Sequence, residues 1–180
     1  MTLSALGIFS AAGAGGVVAD TSYELIESVI LGSSQASITF SSLGTYSSSY
    51  KHLQIRASAK STSFDNMFMR LNGDTGSNYA YHRLIGNGSA VSSLASSSQT
   101  SMVCGVHDSE SAGNVIDLLD VYSTTKNKTV RSIYGIASTT IRFNSGLWLS
   151  TASLTSILLL PTGALTFSSG SRFSLYGIKG

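Results

Sequence analysis

The first residues to weigh for chemistry are Asp74-Thr75-Gly76-Ser77, which match the Asp-Thr-Gly-Ser signature of aspartic proteases. There the reacting water lies between two aspartates that share one proton, because adjacent carboxylates resist ionising together. One signature per chain needs a second copy to complete the pair. Leu84-Ile85-Gly86 imitates the apolar-apolar-Gly element that packs beside such a site. The context argues for a turn instead. A protease aspartate follows an apolar strand directly, whereas Asn72-Gly73 stands immediately before Asp74, and Asn-Gly is among the strongest hairpin signals.

Cys104 and His107, with Asp108 and Glu110 close by, suggest half of a metal site. Zinc needs three or four converging ligands, and positions 104 and 107 of an extended strand face opposite ways. The other histidines, His52 and His82, fall singly on distant segments. The many serines come without a Gly-x-Ser-x-Gly elbow, so nothing supports a hydrolase triad. Gly86-Asn87-Gly88 follows a strand pattern but precedes no helix, so a dinucleotide site fails too. Tyr79, Tyr81 and Trp148 offer an aromatic platform for a glycan, although aromatic residues on strands more often pack in a core or on a sheet. Met67 and Met69 read as same-face core residues. The expectation is a protein without catalytic residues, metal or cofactor, with Tyr79, Tyr81 and Trp148 as its candidate glycan contacts.

The elements that carry these residues are strands. Over Lys51–Lys60, Leu53, Ile55, Ala57 and Ala59 fall on one face and His52, Gln54, Arg56, Ser58 and Lys60 on the other. A helix would scatter both sets around its axis; a strand separates them. The same reading predicts strands at 23–31, 37–40, 67–71, 79–85, 102–106, 115–122, 129–136, 140–143, 147–149, 156–160 and 172–178. Turn-formers punctuate them, among them Asn72-Gly73-Asp74, Asn87-Gly88, Thr125-Lys126-Asn127, Pro161-Thr162-Gly163 and Ser168-Ser169-Gly170. The serine-rich stretch 89–101 reads as an exposed loop. No helix-periodic stretch of useful length intervenes, and no repeat signals a solenoid. The fold class is therefore all-β, an antiparallel β-sandwich or jelly-roll-like single domain over residues 21–180. Phe173-Ser174-Leu175-Tyr176-Gly177-Ile178 is apolar enough to lie centrally in a sheet.

Residues 1–20 differ from the rest and form an extended N-terminal arm. Leu3, Leu6, Ile8 and Phe9 lead into Ser10-Ala11-Ala12-Gly13-Ala14-Gly15-Gly16, too small to fill a core and costly to order. Such an arm either folds back on its own domain or anchors on a neighbouring subunit. The second reading is favoured because small residues pack closely against foreign backbone, and it makes Leu6, Ile8 and Phe9 the assembly anchors.

Hydrophobic residues make up 42% of the 180-residue chain and charged residues only 11%, against roughly 25% in an ordinary soluble domain. Low charge weakens the repulsion that keeps proteins apart and suits a packed assembly. Eleven Lys and Arg against nine Asp and Glu leave a net charge of +2, and the basic residues are dispersed rather than gathered in a patch. This argues against a nucleic-acid partner, whose affinity comes from concentrated positive charge. The single cysteine excludes an intrachain disulfide and fits a reducing compartment. Residues 1–9 lack the positive start of a signal peptide, and no apolar run approaches the ~18 residues needed to cross a bilayer. Synthesis in the cytoplasm, without membrane insertion, is expected.

Several segments in order carry a family resemblance. They are Ala5-Leu6-Gly7-Ile8-Phe9-Ser10-Ala11-Ala12-Gly13-Ala14-Gly15-Gly16, Tyr23-Glu24-Leu25-Ile26, Tyr50-Lys51-His52-Leu53-Gln54-Ile55-Arg56, and Arg70-Leu71-Asn72-Gly73-Asp74-Thr75-Gly76-Ser77-Asn78-Tyr79. Ser145-Gly146-Leu147-Trp148-Leu149-Ser150 and the closing Ser171-Arg172-Phe173-Ser174-Leu175-Tyr176-Gly177-Ile178-Lys179-Gly180 complete the set. The ordered set spans nearly the whole chain and resembles small virion structural proteins of tailed bacteriophages, often labelled minor tail proteins. The resemblance implies a non-enzymatic sandwich on the virion, in contact with other capsid or tail proteins and assembled as a homo-oligomer such as a trimer. It leaves open whether a member sits on the head or the tail, and it brings no catalytic residues.

Overall fold

Alternating side chains that a helix would scatter are sorted by a strand onto two faces, and that sorting organises the whole chain. The structure is a computed structural model that describes residues 22–180; Leu6, Ile8 and Phe9, the expected anchors, lie outside the described residues. Twelve strands run in order: β1 (Tyr23–Ile30), β2 (Ile38–Phe40), β3 (His52–Ala59), β4 (Asp65–Leu71), β5 (Tyr79–Gly86), β6 (Val91–Gln99), β7 (Met102–His107), β8 (Ala112–Leu119), β9 (Lys128–Ile136), β10 (Thr140–Trp148), β11 (Ile157–Pro161) and β12 (Arg172–Ile178). The described residues contain one short 3-10 helix, Leu43–Tyr46, and no α-helix. None of their helices is long and apolar enough to cross a membrane.

The strands form an eight-stranded sheet, ordered β1-β12-β3-β8-β9-β10-β5-β6, and a four-stranded sheet, ordered β2-β11-β4-β7. All neighbours within the two sheets pair antiparallel. The small sheet packs on one face of the large one, giving the β-sandwich that the alternation predicts. Between them lie Phe40, Leu53, Ile55, Met67, Met69, Phe167 and Phe173, all fully buried. The Phe167 and Phe173 rings meet edge to face at 4.9 Å. Met67 and Met69 share the inner face of β4, as their spacing requires. β12 is hydrogen-bonded on both sides, to β1 and to β3, so the last strand is internal to the large sheet.

Strand β7 is buried along its length yet pairs with β4 alone. Its other edge is closed by side chains from the large sheet. Asn114 Oδ1 accepts the Val106 N–H at 2.8 Å, while its Nδ2 donates to Val106 O and Ala112 O, both at 3.0 Å. Asn144 Nδ2 donates to Val103 O at 2.9 Å. Gly105 makes room for this, since a Cβ there would collide with the Asn114 amide and the Met67 methyl. Two buried amides thus take the place of a missing strand.

Three expectations need correction. Residues 89–101 are not a loop: most of them form β6, an edge strand exposed on both faces, so it lacks the alternation that marks half-buried strands. The stretches 140–143 and 147–149 are one strand, β10, that runs through Ser145-Gly146. Asn72-Gly73 is a turn, with φ of 52° and 67° and a 3.0 Å bond from Asp74 N to Leu71 O, but it is not a hairpin. It takes the chain from β4 in the small sheet to β5 in the large one.

Candidate interaction face

The residues singled out for chemistry divide into those that hold the sandwich and those that face away from it. Asp74 belongs to the first group. Its Oδ2 accepts the Trp148 indole N–H at 2.6 Å and the Asn78 amide at 2.9 Å, and its Oδ1 accepts Gly76 N–H at 2.8 Å. These donors favour the carboxylate, so the group sits below its ordinary value, with the Trp148 bond the largest cause. Asn72, just before it, accepts from Thr155 N and Ser156 N and donates to Ser153 O, pinning the approach to β11. The corner where the chain changes sheets is therefore tied to both layers.

Tyr79, Tyr81 and Trp148 form no glycan platform. They are 0%, 8% and 3% exposed, so no ring face is available for a sugar to stack on. Tyr79 and Trp148 are cross-strand partners whose rings stack at 6.4 Å. The Tyr79 hydroxyl accepts from Leu71 N at 3.0 Å, and burial pushes its pKa up to about 12. Alternation points all three inward because β5 and β10 face the small sheet on that side.

Cys104 and His107 are both fully buried and do not converge with other ligands; no group of three or more His, Cys, Asp or Glu able to hold a metal occurs among the described residues. The Cys104 thiol lies 3.5 Å from Met67 O, and burial raises its pKa far above the normal thiol range. His107 Nδ1 is 3.1 Å from Ser63 O, and burial lowers its pKa. His52 Nδ1 accepts Asp120 N–H at 2.9 Å. Lys128, 1% exposed, donates from Nζ to Ser123 O and Lys126 O, so its charge is met by backbone carbonyls.

The outer face of the large sheet is different in kind. On β10 the usual orientation is inverted: Arg142 and Asn144 point towards the small sheet, while Ile141 and Phe143 point outward and remain 52% and 49% exposed. The inward pair has structural partners, Asn144 on β7 and Arg142 on Asn66 Oδ1 at 3.2 Å, with its guanidinium 4.9 Å from the Phe64 ring centre. The cross-strand neighbours of Phe143 are Ile133 on β9 and Leu84 on β5, and Ile133 in turn faces Val115 on β8. These side chains make one apolar row across four adjacent strands.

Beside that row lies a row of small residues, Gly113, Gly135 and Gly86, interrupted only by Ile141. Together with the 136–140 hairpin they floor a trough of about 970 Å³. Gly135 is required by the fold, because a Cβ there would strike the Thr140 carbonyl. Gly113 is not, since a Cβ would meet nothing within 4 Å. The trough's far rim is cationic and aromatic: Arg56 lies 5.4 and 5.7 Å from the ring centres of Tyr23 and Tyr176, which stack on each other at 4.7 Å. Such a surface presents apolar side chains beside a cationic and aromatic rim. What it can do is bury apolar area against a partner, and half-exposed Ile or Phe side chains would each contribute about 1 kcal/mol when fully covered.

Residue-type reasoning missed Ile133, Phe143, Leu84, Asn114 and Asn144. The signal available was the strict alternation of Ile141 and Phe143 with Arg142 and Asn144; amphipathic logic orients that strand backwards. A scan against models of protein families finds no match for the chain, and a search of curated proteins finds none.

Proposed function

We propose that the chain is a non-enzymatic structural component of a tailed-phage virion, made in the host cytoplasm and carried on the outside of the particle. In this reading it is a minor tail or fibre component or a capsid decoration protein, docked on other virion proteins through its N-terminal arm and assembled as a homo-oligomer. The ordered motifs that resemble tailed-phage virion proteins support the particle. The observation that carries the mode of action is the outer face of the large sheet, where Ile133, Ile141, Phe143 and Leu84 stay exposed while polar Arg142 and Asn144 turn inward. Exposed apolar rows of this kind mark contact surfaces rather than reaction centres. Asp74, Cys104 and His107 also support the non-enzymatic reading, because each is engaged in the hydrogen bonding or packing of the sandwich.

In this account Leu6, Ile8 and Phe9 anchor the arm, and burying each against a neighbour contributes roughly 1.5–3 kcal/mol. The test is deletion of residues 2–16 in a phage that encodes the protein. Particles purified from that phage should lack the protein while the protein itself remains folded in the lysate. Unchanged incorporation would sink the proposal.

A further inference from the structure

A sandwich of two open sheets has four edges, and each exposes unpaired backbone groups unless something guards it. In this molecule three edges are guarded. β2 is only three residues long. β7 is closed by the Asn114 and Asn144 amides. β1 carries Glu24 and Glu27, and its register with β12 shifts between Leu25 and Glu27. Negative charges and a bulge are devices that keep a second strand away.

The fourth edge, β6, has neither charge nor amide closure, and its register shift falls at its far end, between Ser96 and Gln99. Its nine residues, Val91-Ser92-Ser93-Leu94-Ala95-Ser96-Ser97-Ser98-Gln99, include no charge, no proline and no histidine. Its pairing with β5 runs without a break from Val91 to Ser96. Residues 91–95 are all exposed, Val91 at 72% and Leu94 at 43%, and no described strand pairs with the outer side of β6.

We propose that β6 is an assembly edge and that its partner is β6 of a second copy, paired antiparallel across a twofold axis. An edge of this length recognises main-chain donors and acceptors, so the partner must be an extended strand. Self-pairing fits that requirement best. A twofold brings the same surface together from both sides, so a strand suits it only if it repels no copy of itself. β6 meets this condition because no charge is available to oppose its like. Small Ser and Ala side chains let the second backbone approach, and the pairing covers Val91 and Leu94. The exposed apolar residues Leu84, Ile141 and Phe143 lie on β5 and β10, the two strands nearest this edge and far from guarded β1. The joined sheet would thus continue the contact face instead of interrupting it. The inference does not depend on the virion reading.

The experiment is light scattering on the full chain over a wide concentration range, alone and with substitutions. The unmodified protein should approach twice its 18.8 kDa as concentration rises. Ser93→Lys with Ala95→Lys, both exposed on β6, should hold it at the single-chain mass, while Ser28→Lys on β1 should leave the doubling intact. A single-chain mass for the unmodified protein at every concentration overturns the proposal. So does a doubling that the β6 lysines leave unmoved, which would point to residues 1–21 or another face, and so does its loss in the β1 control. If the lysine variant fails to fold, amide hydrogen exchange on the unmodified chain decides the matter. Exchange at residues 91–96 should slow at high concentration, and concentration-independent exchange there overturns the proposal.

Discussion

Asp74 shows how a residue with a catalytic-looking context can be occupied by structure. Its carboxylate accepts three hydrogen bonds, one from an indole on the opposite side of the corner. Asp74→Asn should lower the unfolding free energy by about 1.5–3 kcal/mol, the range for hydrogen bonds to a charged group. In a double-mutant cycle with Trp148→Phe the two losses should not add, as expected for residues in contact. Because these donors depress its pKa, Asp74 stabilises the fold above its ordinary value of 3.8, and that contribution is lost as pH falls through the depressed value. His107 acts in the same direction for the opposite reason. Burial, only partly opposed by Ser63 O, Asp65 and Asp108, holds the imidazole below its usual 6.5 and neutral in the folded state. The unfolded chain then binds more protons just below 6.5, so stability should fall as pH drops through that window. Urea unfolding at a series of pH values should show a shallower slope there for His107→Gln than for the unmodified protein.

At the scale of elements, legibility followed burial. β3 was readable because one face is buried and the other is wet, and its four apolar residues land inward as expected. The strand at 91–99 was invisible because both its faces are wet, so serine carried no periodic signal. For Trp148 the sequence left a glycan contact open beside core packing, because aromatic type alone does not say which side of a strand is covered, and here the covered side is its own. No sequence pattern announces that Asn114 and Asn144 close the edge of β7, since that depends on strands distant in the chain meeting across the sandwich. Their role makes a sharp prediction. Asn114→Ala leaves Val106 N–H and O buried without that partner and should cost at least about 2 kcal/mol in chemical denaturation. Removal of residues 172–180 takes out β12, paired on both sides, and circular dichroism of the truncated chain should show loss of the cooperative fold.

For the whole molecule, the large sheet separates two tasks. Its inner face holds the sandwich together, and its outer face keeps an apolar row that takes no part in packing the two sheets. Whether this face exists for contact turns on Ile133→Ser with Phe143→Ser. Two readouts decide it: unfolding free energy and, on the virion role proposed above, the protein content of the particles. Phe143 is already half exposed, so the pair should cost far less stability than Phe40→Ala in the core, for which about 3–5 kcal/mol is expected. A contact face requires the double variant to fold and yet to be depleted from the particles. A double variant that folds and is incorporated at the normal level would contradict it.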